Sequence, residues 1–127
     1  MNAPLVRGME ACMSATAATA SGVVHEIEPE ALWVQLESSH DLVLDVREPR
    51  EFLGGHVPSA RNVPLGAIAA QAAGLLSEGR RIVIACEHGK RALKAADVLL
   101  GAGLRSEILV LAGGTARWRK AGLPTEH

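Results

Sequence analysis

The hydrophobic residues of this chain fall into short, nearly unbroken runs separated by more polar segments. Three of the runs are LVLDV (42–46), IVIA (82–85) and ILVL (108–111), and VVHEI (23–27) precedes them. Runs this short and this apolar are typical of strands that are covered on both faces in a parallel sheet. The pattern therefore predicts three buried strands and, at VVHEI, one further short strand.

Between these runs, apolar residues recur three and four positions apart, which is the spacing of one helix face. The recurring residues are Leu65, Ile68, Ala69 and Ala72 in one segment and Ala92, Ala95, Ala96 and Leu99 in another. The second segment meets Gly101 and Gly103 where a helix end favours glycine. An earlier helix is indicated by Pro29, which suits a first turn, and by Leu32 and Leu36 on one face. This alternation predicts an α/β fold with helices on both faces of a parallel sheet.

The length of 127 residues fits one compact domain. Its core must be largely aliphatic, because the chain has one Phe, no Tyr and two Trp. Residues 1–22 are small, rich in Ala and Thr, and without steady periodicity, so we expect an N-terminal tail that is flexible or loosely docked. The domain itself is assigned to residues 23–127.

The charge balance argues against nucleic acid as a partner. The chain has thirteen Lys and Arg residues and fourteen Asp and Glu residues, so it has no excess of positive charge, and it has few aromatic side chains on which bases could stack. The charge is uneven, however. Between positions 80 and 94 the only acidic residue is Glu87, while the basic ones are Arg80, Arg81, Lys90, Arg91 and Lys94. This segment should attract small anions.

Cys12 and Cys86 are the only cysteines, and neither a disulfide framework nor a zinc-binding pattern accompanies them. This favours a reduced, cytoplasmic setting. No apolar stretch approaches the roughly 18 residues of a membrane span, and Glu10 lies where a signal peptide would be apolar. We therefore expect no membrane, no metal and no other cofactor.

The hexapeptide CEHGKR (86–91) leaves a predicted strand and enters a predicted helix within six residues. Gly89 permits such a tight turn, after which the amides of residues 87–92 can point inward together. A nest of amides at a helix N-terminus stabilises a thiolate at its centre and an anion above it. A lone cysteine after a strand is more often a buried packing residue, but Gly89, Lys90 and Arg91 favour Cys86 as a nucleophile.

Three blocks of the sequence, in their order and spacing, resemble the rhodanese-like single-domain sulfurtransferases. They are LDVREPREFLGGHVPSARNVP (44–64), CEHGKRALKAADVLLGAG (86–103) and LAGGTARW (111–118). The resemblance runs from about residue 26 to the end of the chain. It implies a three-layer α/β/α fold with a central, mostly parallel five-stranded sheet. It also implies that Cys86 is the catalytic residue, in the loop after the fourth strand.

The activity implied by the resemblance is the transfer of a sulfane sulfur through a persulfide on Cys86. The donor would be a small anion such as thiosulfate, and the acceptor a thiol, cyanide or a protein thiol. The residues that would bind the donor are those of the loop: Glu87, His88, Gly89, Lys90 and Arg91. The alternative is a module that carries or senses persulfide sulfur, or binds a protein, without rapid turnover.

Loop length separates this activity from that of phosphatases of related fold, which carry Cys-x5-Arg because a tetrahedral phosphate needs a wider ring of amides. Here the spacing is Cys-x4-Arg, and Ala92 occupies the phosphatase position. A phosphatase is therefore disfavoured. Two loop residues depart from the family pattern. We expect Glu87 to point outward, towards Lys90 or an acceptor protein, and His88 either to contact the persulfide or to be an exposed ring.

Other polar residues are interpreted as structural. Asp45 and Arg47, with Glu51, could form a catalytic cluster, but we favour a buried ion-pair network that fixes the first loop against the active-site loop. His56 and Asn62 are expected to be hydrogen-bonding loop residues. The remaining interpretations are a turn at Gly113-Gly114-Thr115 that lets the last helix dock, packing of that helix by Trp118, and a spare or resolving thiol at Cys12.

Overall fold

The apolar runs become the strands of a single sheet in a computed structural model, which describes residues 17–18, 23–104 and 107–127. The strands are β1 (Ala17–Ala18), β2 (Val23–Ile27), β3 (Leu42–Asp45), β4 (Arg61–Asn62), β5 (Ile82–Ala85) and β6 (Glu107–Leu111). Their order is β1-β2-β6-β5-β3-β4. All neighbours are parallel except β1 and β2, so the predicted sheet of five mostly parallel strands is confirmed, with β1 added at one edge.

Helices alternate with the strands as the sequence predicts, and one of them, α2, is a short helix that the sequence pattern did not predict. They are α1 (Pro29–Leu36), α2 (Pro49–Leu53), α3 (Ile68–Ser77), α4 (Lys90–Gly101) and α5 (Gly114–Lys120). The segment predicted to be helical from Leu65 begins with a 3-10 turn, Leu65–Ala67, and becomes α-helical at Ile68. No helix in the described ranges is long and apolar enough to cross a membrane.

The sheet separates two hydrophobic cores. One contains Leu44, Ile84 and Val110 and is covered by side chains of α3 and α4, such as Ile68 and Leu99. The other contains strand residues of the opposite face and is covered by α1 and α5: its members include Val43, Val83, Leu111, Leu32 and Trp118. Successive strand residues therefore alternate between two buried faces. This arrangement confirms the three-layer α/β/α architecture.

The carboxyl edge of the sheet brings three distant segments of the chain together. Asp45, the last residue of β3, pairs in register with Ala85, the last residue of β5. The segments that follow these strands, residues 46–51 and 86–91, each run from a loop into the first turn of a helix, and the segment after β6 leads into α5. Polar residues after parallel strands meet at one edge, which is where open α/β sheets bind ligands. The predicted tail, apart from Ala17–Ala18, lies outside the described residues.

Candidate active site

Cys86 lies in a cradle of backbone amides at the end of β5. Cys86 is 1% exposed. Its Sγ accepts a hydrogen bond from the N–H of Gly89 at 2.9 Å and one from the N–H of Ala92 at 3.3 Å. The N–H groups of His88, Lys90 and Arg91 have no acceptor among the described residues. The cradle therefore holds the sulfur atom and leaves further donors at the start of α4 for an anion.

Gly89 gives the loop its shape through its backbone conformation. It is the residue before α4 and has a φ of 112°, in the left-handed region that side chains disfavour. A Cβ at this position would meet nothing within 4 Å, so the requirement for glycine is conformational and not a matter of space. The sequence predicted a tight turn at this residue for the same reason.

An ion pair joins the beginning of α4 to α2. Arg91 donates from Nη1 to Glu51 Oε1 at 2.7 Å and from Nη2 to Glu51 Oε2 at 3.1 Å. The hydrogen bonds from Arg91 lower the pKa of Glu51 from 4.5 to about 2, and Glu51 in turn raises the pKa of Arg91, with a smaller contribution from Cys86. The charge of Arg91 is therefore neutralised by Glu51.

A second set of contacts links the loop after β3 to the loop of Cys86 (residues 86–91), which we call the cysteine loop. The guanidinium of Arg47 donates to the Asp45 carboxylate at 2.9 to 3.2 Å and to the Gly55 carbonyl at 2.8 Å. Its remaining Nη1 donates to Glu87 Oε1 at 3.1 Å. Burial alone would lower the pKa of Arg47, but the hydrogen bonds and charge of Asp45 raise it. These contacts link the two loops through Asp45 and Arg47 as we expected, but the third member of the network is Glu87. Glu51, which we expected there, pairs with Arg91 instead.

The structure corrects the expected partner of Glu87. Its carboxylate pairs with Arg47 and with Arg119 of α5, not with Lys90. The pairing follows from position, because α5 docks beside the cysteine loop and places a guanidinium next to Glu87. Lys90 and His88 are exposed, and Lys90 forms no ion pair with any described residue. Arg119 was not anticipated, and only its place directly after the LAGGTARW block (111–118) pointed to this region.

The N-terminus of α5 contacts the cysteine loop directly. Thr115 donates its N–H to the Cys86 carbonyl at 2.8 Å, and Ala116 donates to the Glu87 carbonyl at 3.1 Å. Gly114 has a φ of 68°, and a Cβ there would lie 2.3 to 2.4 Å from those carbonyl oxygens. The turn at Gly113-Gly114-Thr115 therefore docks the last helix as predicted, and it docks that helix onto the loop of Cys86.

The other residues interpreted as structural make the contacts expected of them. Asn62 Nδ2 donates to the carbonyls of Asp45 and Arg47, both at 3.0 Å. The ring of His56 stacks on Phe52, and its Nδ1 lies 2.8 Å from the Phe52 carbonyl. Trp118 is fully buried in the core under α5. Across the described ranges, no group of three or more His, Cys, Asp or Glu residues is placed to hold a metal. Cys12 lies outside those ranges.

The chain is similar to known sulfurtransferases over most of its length. A protein from Allochromatium vinosum named sulfurtransferase is 33% identical over 103 residues, covering 80% of this chain and 94% of the relative. The chloroplastic thiosulfate sulfurtransferase 16 of Arabidopsis thaliana is 34% identical over 110 residues, covering 73% of this chain and 91% of that protein. The crystal structure of a rhodanese-related protein from Thermoplasma volcanium superposes with a TM-score of 0.68 at 28% identity, covering 80% of this chain and 96% of that one.

Some relatives are longer than this chain. The matched region makes up 54% of an uncharacterized protein from Synechocystis sp. and 49% of a putative sulfur carrier protein from Bacillus subtilis. Residues 28–121, well over half of the sequence, match the profile of the family described as Rhodanese-like domain. With the fold and the position of the cysteine loop, this match establishes that the chain belongs to the rhodanese-like domain family.

Proposed function

We propose that this protein is a sulfurtransferase that moves a sulfane sulfur from an anionic donor, such as thiosulfate, to a nucleophilic acceptor through a persulfide on Cys86. The observation that carries the proposal is the cradle around Cys86. Its Sγ accepts two backbone N–H groups, and three further N–H groups, in the loop and the first turn of α4, have no acceptor among the described residues. Such an arrangement favours anionic sulfur and an anionic donor.

The reaction divides into two displacements. In the first, the Cys86 thiolate attacks the outer sulfur of thiosulfate, a new S–S bond forms, and sulfite leaves with the electron pair of the old S–S bond. In the second, cyanide or a thiolate attacks the outer sulfur of the persulfide, and the Cys86 thiolate leaves with its electron pair. Thiocyanate or an acceptor persulfide is released. The two steps balance without an oxidant, a reductant or a metal.

The charges around the cradle suit an anionic donor. Arg91 is neutralised by Glu51, and Arg47 is held by Asp45 and Glu87. Lys90 is exposed and forms no ion pair within the described part of the chain, so its ammonium group is available to the incoming anion. In this arrangement, Arg91 maintains the loop and Lys90 attracts the donor.

Intact-protein mass spectrometry tests the proposal. Cys12→Ser protein incubated with thiosulfate should gain the mass of one sulfur atom, and cyanide should remove it. Cys86→Ser protein, which keeps Cys12, is the matched control and should gain nothing. It should remain folded, because the substitution changes one small side chain at a loop. Loading of the Cys86→Ser protein, or no loading of the Cys12→Ser protein from thiosulfate or a polysulfide, would contradict the proposal.

A sulfur carrier is the second candidate, and one similarity favours it: the chain is 34% identical over 91 residues to a putative sulfur carrier protein from Bacillus subtilis. Cys86 is 1% exposed, so any acceptor must reach a sulfur that lies largely below the surface. Steady-state turnover with thiosulfate and cyanide separates the two candidates, because a carrier should load one sulfur and then cycle slowly.

A further inference from the structure

Glu87 is a carboxylate placed next to the nucleophile of a site that should receive anions. Left unbalanced, it would repel an anionic donor and oppose formation of the thiolate. Whether Glu87 has this effect depends on the charged residues that contact it. They are the buried pair Asp45 and Arg47 on one side and Arg119 on the other.

Arg47 cannot neutralise Glu87 alone. Its Nε and Nη2 already donate to the Asp45 carboxylate, which is fully buried, and Nη2 also donates to the Gly55 carbonyl. Only Nη1 reaches Glu87. One guanidinium charge thus faces two carboxylate charges, so these three residues carry a net charge of about −1 beside the cysteine.

Arg119 supplies the missing positive charge. Its Nη2 forms an ion pair with Glu87 Oε2, the oxygen that Arg47 does not contact. Burial alone would raise the pKa of Glu87, but the hydrogen bond and charge of Arg119, together with Arg47, hold it below its usual value. The Glu87 carboxylate is therefore ionised, held between two guanidinium groups and balanced in charge.

We propose that Arg119 is a positioning residue that makes the site competent for anionic donors, by holding the Glu87 carboxylate against α5 and cancelling its charge. The inference rests on the proposed function for its biological meaning, but the electrostatic effect can be measured without any sulfur transfer. It assigns to the last helix a part in donor specificity that the cysteine loop does not carry by itself.

The test compares an anionic with a neutral alkylating agent at Cys86. All proteins carry Cys12→Ser, and the measured quantity is the ratio of the alkylation rates with iodoacetate and iodoacetamide. Taking the ratio cancels changes in the thiolate fraction, so it reports the local potential felt by an anion. Arg119→Gln should lower the ratio about three- to tenfold, as expected for one unbalanced charge within about 6 to 8 Å.

Three matched variants make the result specific. Arg117→Gln removes the same charge from the same helix, but Arg117 pairs with Glu28, so the ratio should change less than about twofold. Arg119→Lys keeps the charge and should keep the ratio close to that of the parent. Adding Glu87→Gln to Arg119→Gln removes the unbalanced carboxylate and should restore the ratio. A drop with Arg117→Gln as large as that with Arg119→Gln, or no restoration in the double variant, would overturn the inference.

Steady-state kinetics with thiosulfate complete the test. Arg119→Gln should raise the KM for thiosulfate about three- to tenfold and change kcat less than about twofold, because an anion is repelled while the cradle of Cys86 remains intact. An unchanged alkylation ratio together with an unchanged KM would refute the role of Arg119 and leave the proposed sulfurtransferase intact. An altered ratio in a protein that loads no sulfur would support the electrostatic role and refute the proposed function instead.

Discussion

Arg91 and Glu51 form a two-armed ion pair, with Nη1–Oε1 and Nη2–Oε2 distances of 2.7 and 3.1 Å, that ties the start of α4 to α2. Lys90, its neighbour in the sequence, forms no ion pair among the described residues. These two adjacent cations thus differ in whether they are ion-paired. One is used to hold the loop, and the other is available to solvent and to an incoming anion.

Lys90→Ala should weaken the capture of thiosulfate. We expect its KM to rise about three- to tenfold at low ionic strength, with kcat changed less than about twofold, because an exposed ammonium group acts on the approaching anion and not on the cradle. The effect should shrink as salt is raised. Lys94→Ala is the matched control, since Lys94 is also exposed on α4 but lies one turn farther from the loop. Equal effects of the two substitutions would argue against a local role for Lys90.

Arg91→Ala should instead reduce kcat, by about tenfold, because the amides around Cys86 lose their anchor to α2. Glu51→Ala removes the same ion pair from the other side and should cause a loss of similar size. The double variant should be little worse than either single variant, since one interaction can be removed only once. Additive losses in steady-state kinetics would show that the two residues act separately.

The contribution of Glu51 to stability should depend on pH. Its pKa is lowered from 4.5 to about 2 in the folded protein, so the stabilisation is present above about pH 4.5 and is lost as the pH falls towards 2. Glu51→Gln keeps an acceptor for the N–H of Glu48 but removes the charge. Denaturant unfolding should show a cost of about 1 kcal/mol or less at pH 7, given solvent screening. A difference from the parent that stays constant down to pH 2.5 would contradict this assignment.

Gly114→Ala should disturb both stability and activity. A Cβ at this position would lie 2.3 to 2.5 Å from backbone atoms of Cys86 and Glu87, and the φ of 68° is already unfavourable for alanine. We expect a loss of more than about 2 kcal/mol in the free energy of unfolding and slower loading of Cys86. Gly74→Ala is the matched control: that position, inside α3, has open space for a Cβ and should gain about 0.5 to 1 kcal/mol. Tolerance of Gly114→Ala would show that α5 can move away from the loop.

The sequence predicted the buried strands and the longer helices because their periodicity is local. The runs LVLDV and IVIA are buried throughout their strands, and Ala92, Ala95, Ala96 and Leu99 line the buried face of α4 as their spacing predicts. The five-residue α2 and the two-residue β4 were not predicted, because elements this short contain too few positions to reveal a period.

The site was predictable where one loop forms it and not where distant side chains meet. The turn at Gly89 and the amides around Cys86 follow from a six-residue stretch. The partners of Glu87 and Arg91 do not, since Arg119 lies 32 residues from Glu87 and Glu51 lies 40 residues from Arg91. Only the folded chain decides which cation faces which carboxylate. The catalytic role of Cys86, the partners and the cytoplasmic setting stay predictions.

The hydrogen bonds from Thr115 and Ala116 to the carbonyls of the cysteine loop determine when the surroundings of Cys86 become complete. The cradle is assembled from residues near positions 45–51, 86–92 and 114–119, so it closes only after the last helix has folded back onto the sheet. Thr115 and Ala116 follow Cys86 in the chain, so they are synthesised after it. A chain still being synthesised therefore carries a Cys86 without these contacts until α5 has emerged.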